Sequence, residues 1–325
     1  MKRYAKRLLS FILALAMTAT IIPSFALKSS AVSALTTGDI ITYGSYPQTK
    51  VTDASLITAL NACTLSADNT VTYSGTKYKR VYFTQYTPYY TTVTPDAANS
   101  YQDENGYYIN TVYWFKYEPI QWRVLSNTNG ELLVMAEKIL DSKAYNQVQT
   151  NVTWETCSLR SWLNNDFYNS AFNSFERSRI KMSAVVNADN PQYGTEGGNN
   201  TSDKLILLSY ADTINTAYGF SSSFSTYDTA RQAQGTDFSK SNGLFVSREG
   251  LSLGNSHWWL RTPGVDSDYA CGVYGYGIVD YYDYVNSTSI GIRPAFKISL
   301  TSDIFTSKAG SGCVIDYFKG FVYGI

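Results

Sequence analysis

The sequence predicts a mixed α+β domain over residues 35–300, and three observations carry that prediction. From 70 to 125 the chain is rich in Thr, Tyr and Val, residue types that suit a pleated, half-buried surface. Near the end, Ile290, Ile292, Phe296, Ile298 and Leu300 alternate with Gly291, Arg293, Ala295, Lys297 and Ser299, the two-residue period of a half-buried strand. Between these regions Leu159, Trp162, Leu163 and Phe167 recur at helical spacing. Apolar residues make up 44% of the 325, enough for a packed core.

In chain order, residues 1–34 read as an export signal. Lys2, Arg3, Lys6 and Arg7 form a positive head, 15 apolar-run residues span 8–22 before Pro23, and small residues precede Ala31 and Ala34. The run is shorter than the roughly 20 residues that cross a bilayer. The mature chain is therefore expected outside the cytoplasm with no membrane span. Residues 39–47 form a short strand ending at Gly44 and Pro47, and 53–62 a short helix. Residues 118–125 and 131–136 make a hairpin around a four-residue loop, 127–130. Two helices follow within 153–180, the second opened by a capping box of Asn173 and Glu176. Residues 189–203 are a loop, and 205–208 a buried strand. Residues 211–218 and 229–242 read as helices, the second broken near Gly235. A strand at 258–261 stops at Pro263-Gly264, a Gly-punctuated hairpin occupies 270–285, and one strand runs 290–300. Residues 301–325 read as a linker and the start of a small further module.

Composition excludes several functions. Without the export signal the chain has 21 basic against 26 acidic residues, so it has no electrostatic reason to bind nucleic acid. Its one histidine, His257, rules out sites that need two. The four cysteines, Cys63, Cys157, Cys271 and Cys313, allow three disulfide pairings or none, since buried thiols serve equally well. Asn199, Asn200, Thr201 and Asp203 offer oxygen ligands for calcium, without EF-hand spacing. No GxSxG accompanies His257, and spacing brings no two of Glu118, Glu131, Glu137, Asp141 and Asp203 together as a glycosidase pair. The reading is non-catalytic.

Between Asp266 and Ser289 lie six tyrosines, four aspartates (Asp266, Asp268, Asp280, Asp283), three serines, three glycines and Asn286. This is the chemistry of a paratope: tyrosine supplies rigid contact area, and small polar residues adapt their hydrogen bonds. The expected ligand face comprises Tyr269, Tyr274, Tyr276, Asp280, Tyr281, Tyr282, Tyr284 and Asn286, with Trp259 as a stacking platform. Trp258 and Trp259 point to opposite sides of a strand, so one belongs to the core. Arg261 and Arg293, inside apolar strands, are expected to be structural, as is Trp258. Replacing Tyr281, Tyr282 and Tyr284 together is expected to abolish binding with little loss of stability.

Several stretches together resemble an uncharacterised family of secreted bacterial proteins, mostly from gut Gram-positive anaerobes. They are residues 43–48, 120–125, 140–142, 159–164 with 167–168, 197–209, 258–264 and 291–296. The C-terminal third is also similar to the C-type-lectin-like fold, shared by formylglycine-generating enzymes and by the variable proteins of diversity-generating retroelements. Those variable proteins carry a tryptophan strand, a Gly-rich hairpin and a closing arginine-bearing strand, the order of 258–261, 269–284 and 291–296 here. The resemblance implies a secreted or surface-bound protein that recognises an extracellular glycan or surface protein through a hairpin that is itself diversified. Other readings are a carbohydrate-active or protein-modifying enzyme of that fold, and a structural cell-surface module.

Overall fold

The computed structural model describes residues 35–83, 105–248 and 250–299, together with the backbone of the strand pair β14 (Ser307–Ala309) and β15 (Gly312–Val314). The expected export signal lies outside the described residues, as does the remainder of the C-terminal extension. No helix among the described residues is long and apolar enough to cross a membrane.

Strand β1 (Ile40–Lys50) and helix α1 (Ala54–Asn61), the latter capped by Asp53, open the fold. They are followed by β2 (Thr70–Tyr73), β3 (Thr76–Phe83), β4 (Thr111–Thr128) and β5 (Glu131–Ala136). With β13 (Ala295–Ser299) these make a six-stranded sheet in which β4, 18 residues long, pairs with β1, β3 and β5. β1 does not end at Gly44 and Pro47. It bulges twice, between Thr42 and Ser45 and between Pro47 and Thr49, and runs on to Lys50. The turn between β4 and β5 is tighter than expected. Both Asn129 (φ 52°) and Gly130 (φ 81°) lie in the left-handed region, the requirement of a two-residue hairpin turn.

A smaller five-stranded sheet has the order β11 (Val279–Tyr284), β10 (Tyr269–Val273), β9 (Trp258–Pro263), β12 (Gly291–Ile292) and β6 (Asp141–Ser142). A short ribbon joins β7 (Ser183–Val185) to β8 (Thr201–Asp203). The segment 290–300 is thus not one half-buried strand. Its first part belongs to the small sheet and its second to the large one. Pro294, which has no N–H to donate, stands at the crossing, and residues 290–296 are buried throughout.

The helices are shorter than periodicity predicts. Ser158–Trp162 continues as one π-helical stretch, Leu163–Phe167, and a last turn, Tyr168–Ala171. The Asn173–Glu176 capping box opens Ser174–Arg179 as expected. Only Tyr210–Thr213, a 3₁₀ turn at Thr216–Tyr218, and Asp237–Ser241 are helical where two longer helices were expected. Over 229–236 the chain is held instead by Arg231. Its fully buried guanidinium donates to the carbonyls of Gly277, Thr213, Ser223 and Thr226. Leu205, Leu207 and Leu208 are buried, but the segment forms no strand: it meets β13 at a single bridge, Ile206 opposite Ala295, and β9 where the Leu208 carbonyl accepts from the Arg261 N–H.

Both sides of the sheets are covered. Leu132, Val134 and Ala136 of β5 face one core with Trp122, Phe167, Phe172, Phe296 and Ile298, while Leu133 and Met135 face a second with Leu208, Trp258, Leu260 and Val273. Such burial is worth roughly 1.5–3 kcal/mol per large side chain.

Candidate functional site

β9 lies centrally in the small sheet and alternates as a strand must, with Trp258 and Leu260 in one core and Trp259 in the other. Both tryptophans are fully buried. Trp259 is therefore not a stacking platform; its indole N–H donates to the Lys143 carbonyl and its ring packs on Tyr145. Two-sided burial of the sheet, invisible in the order of residues, is the reason.

Arg293 is also fully buried. It donates to the carbonyls of Ala136, Glu137 and Arg231 and lies over the Trp258 ring. Burial, with Arg123 nearby, lowers its pKa to about 9. Arg261 bridges the Leu207 carbonyl and the Asp212 carboxylate. Neither guanidinium is free to clamp a ligand.

The hairpin β10–β11 places β11 at the open edge of the sheet. A bulge sets Tyr281 and Tyr282 opposite the single residue Cys271. Beyond it Tyr282 and Tyr284 project outward, 54% and 44% exposed, and Tyr281, 6% exposed, turns into the core beside Tyr210 and Phe224. Tyr281 is thus a core residue, not part of a binding face. Asp280 is likewise buried and accepts a hydrogen bond from the Tyr282 N–H.

Two groups of rings remain at the surface. Along the edge, Tyr284 lies against Tyr269 with ring centroids 4.2 Å apart, and the hydroxyls of Tyr282 and Tyr193 share a hydrogen bond at 2.5 Å. At the hairpin tip, half-buried Tyr274 and Tyr276 pack together, Tyr276 meets the exposed Tyr227, and Tyr274 meets His257. The loop holding exposed Leu251 and Leu253 is tied to the tip by Gln232, whose amide reaches the carbonyls of Leu251 and Tyr276. Asn286 is exposed just past β11. Tyr193, Tyr227, Leu251 and Leu253 are far away in sequence. Only the loop character of 189–203 hinted that one of them reaches the surface.

Two groups near these rings ionise unusually. Burial, then the neighbouring Asp280, raises Asp283 from 3.8 to about 7, and its Oδ2 has no hydrogen-bond partner. Burial lowers His257 to about 4, and its ring packs between Tyr274 and Phe245.

The other candidate chemistry is tied up. The Asp203 carboxylate accepts from Trp154, Thr201 and Arg160; Asn200 accepts from the Asn187 N–H, and Asn199 donates to Glu155. This donor set does not fit calcium, because its single carboxylate is already saturated. Glu118 bonds Thr49, Glu131 bonds Lys181, Glu137 pairs with Arg123, and Asp141 bonds Tyr46 and Asn242. Cys63, Cys157 and Cys271 are free thiols, the last two buried.

Residues 129–300 match a family described as a domain of unknown function, DUF6273. No curated protein and no solved structure matches the chain.

Proposed function

Because the chain belongs to the DUF6273 family, whose description assigns no function, we propose a role from its own surface: recognition of an extracellular ligand by the tyrosine face of the β10–β11 hairpin. The observation that carries this is the outward projection of Tyr282 and Tyr284 from the edge strand, extended by Tyr193 and Tyr269. Phenol rings on a rigid sheet present wide contact area at little entropic cost. Rings that stand out from an edge suit the flat surface of a partner protein better than a single sugar ring, so a surface protein is the favoured ligand over a glycan. The binding is non-catalytic, and the protein acts after export, at or beyond the bacterial surface.

A C-type-lectin-like architecture for the C-terminal part is proposed on the same basis. What supports it is the grouping of the tryptophan strand β9, the hairpin and the strand β12 in one sheet, with β12 parallel to β9 through Gly291 and Trp258. Diversification of the hairpin would leave its mark in the genome as a reverse transcriptase beside an imperfect copy of the codons for 266–289.

The direct test is binding of the purified protein to immobilised cells and to a glycan array, beside the double variant Tyr282→Ala/Tyr284→Ala. The variant should lose binding while melting within about 2 °C of the parent, since surface changes typically cost under about 0.5 kcal/mol. Unchanged binding by a folded double variant would refute the assignment.

A further inference from the structure

All six tryptophans lie among the described residues, and five of them (Trp114, Trp122, Trp154, Trp258 and Trp259) are buried. The sixth, Trp162, is only partly buried. It ends the helix Ser158–Trp162 and lines a groove of about 1140 Å³ that also takes in Ser142 of β6, at the opposite edge of the small sheet from the hairpin.

The lining has a consistent chemistry. Nine of its fifteen residues carry an amide or hydroxyl side chain, and its charged members are one of each sign, Lys143 and Asp166. Several polar groups are unengaged. Among the described residues, the Asp166 carboxylate, the Gln147 side-chain amide and the Trp162 indole N–H make no hydrogen bond or ion pair within the chain. Among the described residues the Lys143 ammonium has no carboxylate partner; it lies over one face of the Trp162 ring, 5.0 Å from its centre. The other five tryptophans are buried; here an indole and a carboxylate both open to one concavity.

We propose that this groove binds a neutral oligosaccharide of pyranose rings. A pyranose offers an apolar C–H face for an indole, and a rim of hydroxyls that both donate and accept. Asp166 accepts from such hydroxyls, while Gln147 and Lys143 donate to them. With one positive and one negative group, the groove has no charge preference for a uronate or a phosphorylated sugar. Drug-sized ligands fill clefts of roughly 300–1000 Å³, so this groove has room for more than one ring. The assignment stands apart from the hairpin and does not rest on it.

Trp162 supplies the readout, because the buried tryptophans are shielded from added solutes. The purified protein would be titrated with the tetrasaccharides of β-1,4-glucose, β-1,4-N-acetylglucosamine, α-1,4-glucose and β-1,4-mannose, and with tetragalacturonate as the charged arm. At least one neutral tetrasaccharide should change tryptophan emission saturably and protect it from acrylamide. Trp162 also packs against the core, so the exposed Asp166 and Gln147 carry the mutational test. Asp166→Asn and Gln147→Ala should each weaken binding, the first by about tenfold as expected for a hydrogen bond to a charged group, with an unchanged melting temperature. The Tyr282→Ala/Tyr284→Ala variant should bind the saccharide like the parent. No response to any neutral tetrasaccharide at millimolar concentration, tighter binding of tetragalacturonate, or binding unaffected by both substitutions would overturn the proposal.

Discussion

Asp283 and His257 load the same sheet with opposite pH dependences. Asp283 is raised from 3.8 to about 7, so its contribution to stability is complete below its unfolded value and is lost as pH rises through 7. His257 is lowered from 6.5 to about 4, so its contribution is complete above 6.5 and is lost as pH falls through 4. Between pH 4 and 6.5 the two slopes oppose each other. Asp283→Asn should leave a protein whose urea midpoint climbs with pH across that window, and His257→Phe one whose midpoint declines. Parallel profiles for the two variants would contradict the assigned burial. The neighbours Tyr281 and Tyr282 make an equally sharp contrast. Tyr281→Ala empties core volume and should cost roughly 3–5 kcal/mol, as large aromatic truncations do, whereas Tyr282→Ala should be nearly silent in a melting curve.

The hairpin owes its position to contacts far from it in sequence. Gly277 has φ 89°, and a Cβ there would stand 2.1 Å from the Asp228 carbonyl. Gly277→Ala should therefore destabilise by about 2 kcal/mol or more, through strain added to collision. Arg231 fastens the same turn by donating to the Gly277 carbonyl. Arg231→Met strands several buried carbonyls at roughly 1–3 kcal/mol each, and should lower the urea midpoint more than any substitution of an exposed tyrosine. The elements with local signals were legible in the sequence: the Asn173–Glu176 capping box, the hairpin after β4, though with a loop of two residues and not four, and the alternation of β13. Those set by tertiary contacts were not. Residues 229–236 have a helical pattern but are unwound by what Arg231 must reach, and the alternation of 290–300 conceals a crossing between sheets at Pro294.

Across the molecule, burial sorts the thiols. Burial holds Cys157 up at about 12, and Cys271 is also raised, chiefly by burial, while Cys63 is half-buried. Iodoacetamide on the native protein should label Cys63 and spare Cys157 and Cys271 until urea unfolds the chain, as read by peptide mass spectrometry. The tyrosine-rich character of the hairpin was legible because composition alone marks it. Which rings face outward was not, because one bulge breaks the alternation and leaves Asp280 and Tyr281 both buried, and because Trp259 lies in a strand whose two faces are both covered. The strand order from β11 to β6 also sets a spacing. Four inter-strand steps of about 4.8 Å place the hairpin edge and the groove edge roughly 19 Å apart. Occupancy at one margin leaves the other unobstructed, so on the two proposed assignments a single copy would hold a saccharide and a surface protein at once, as a rivet holds two plates.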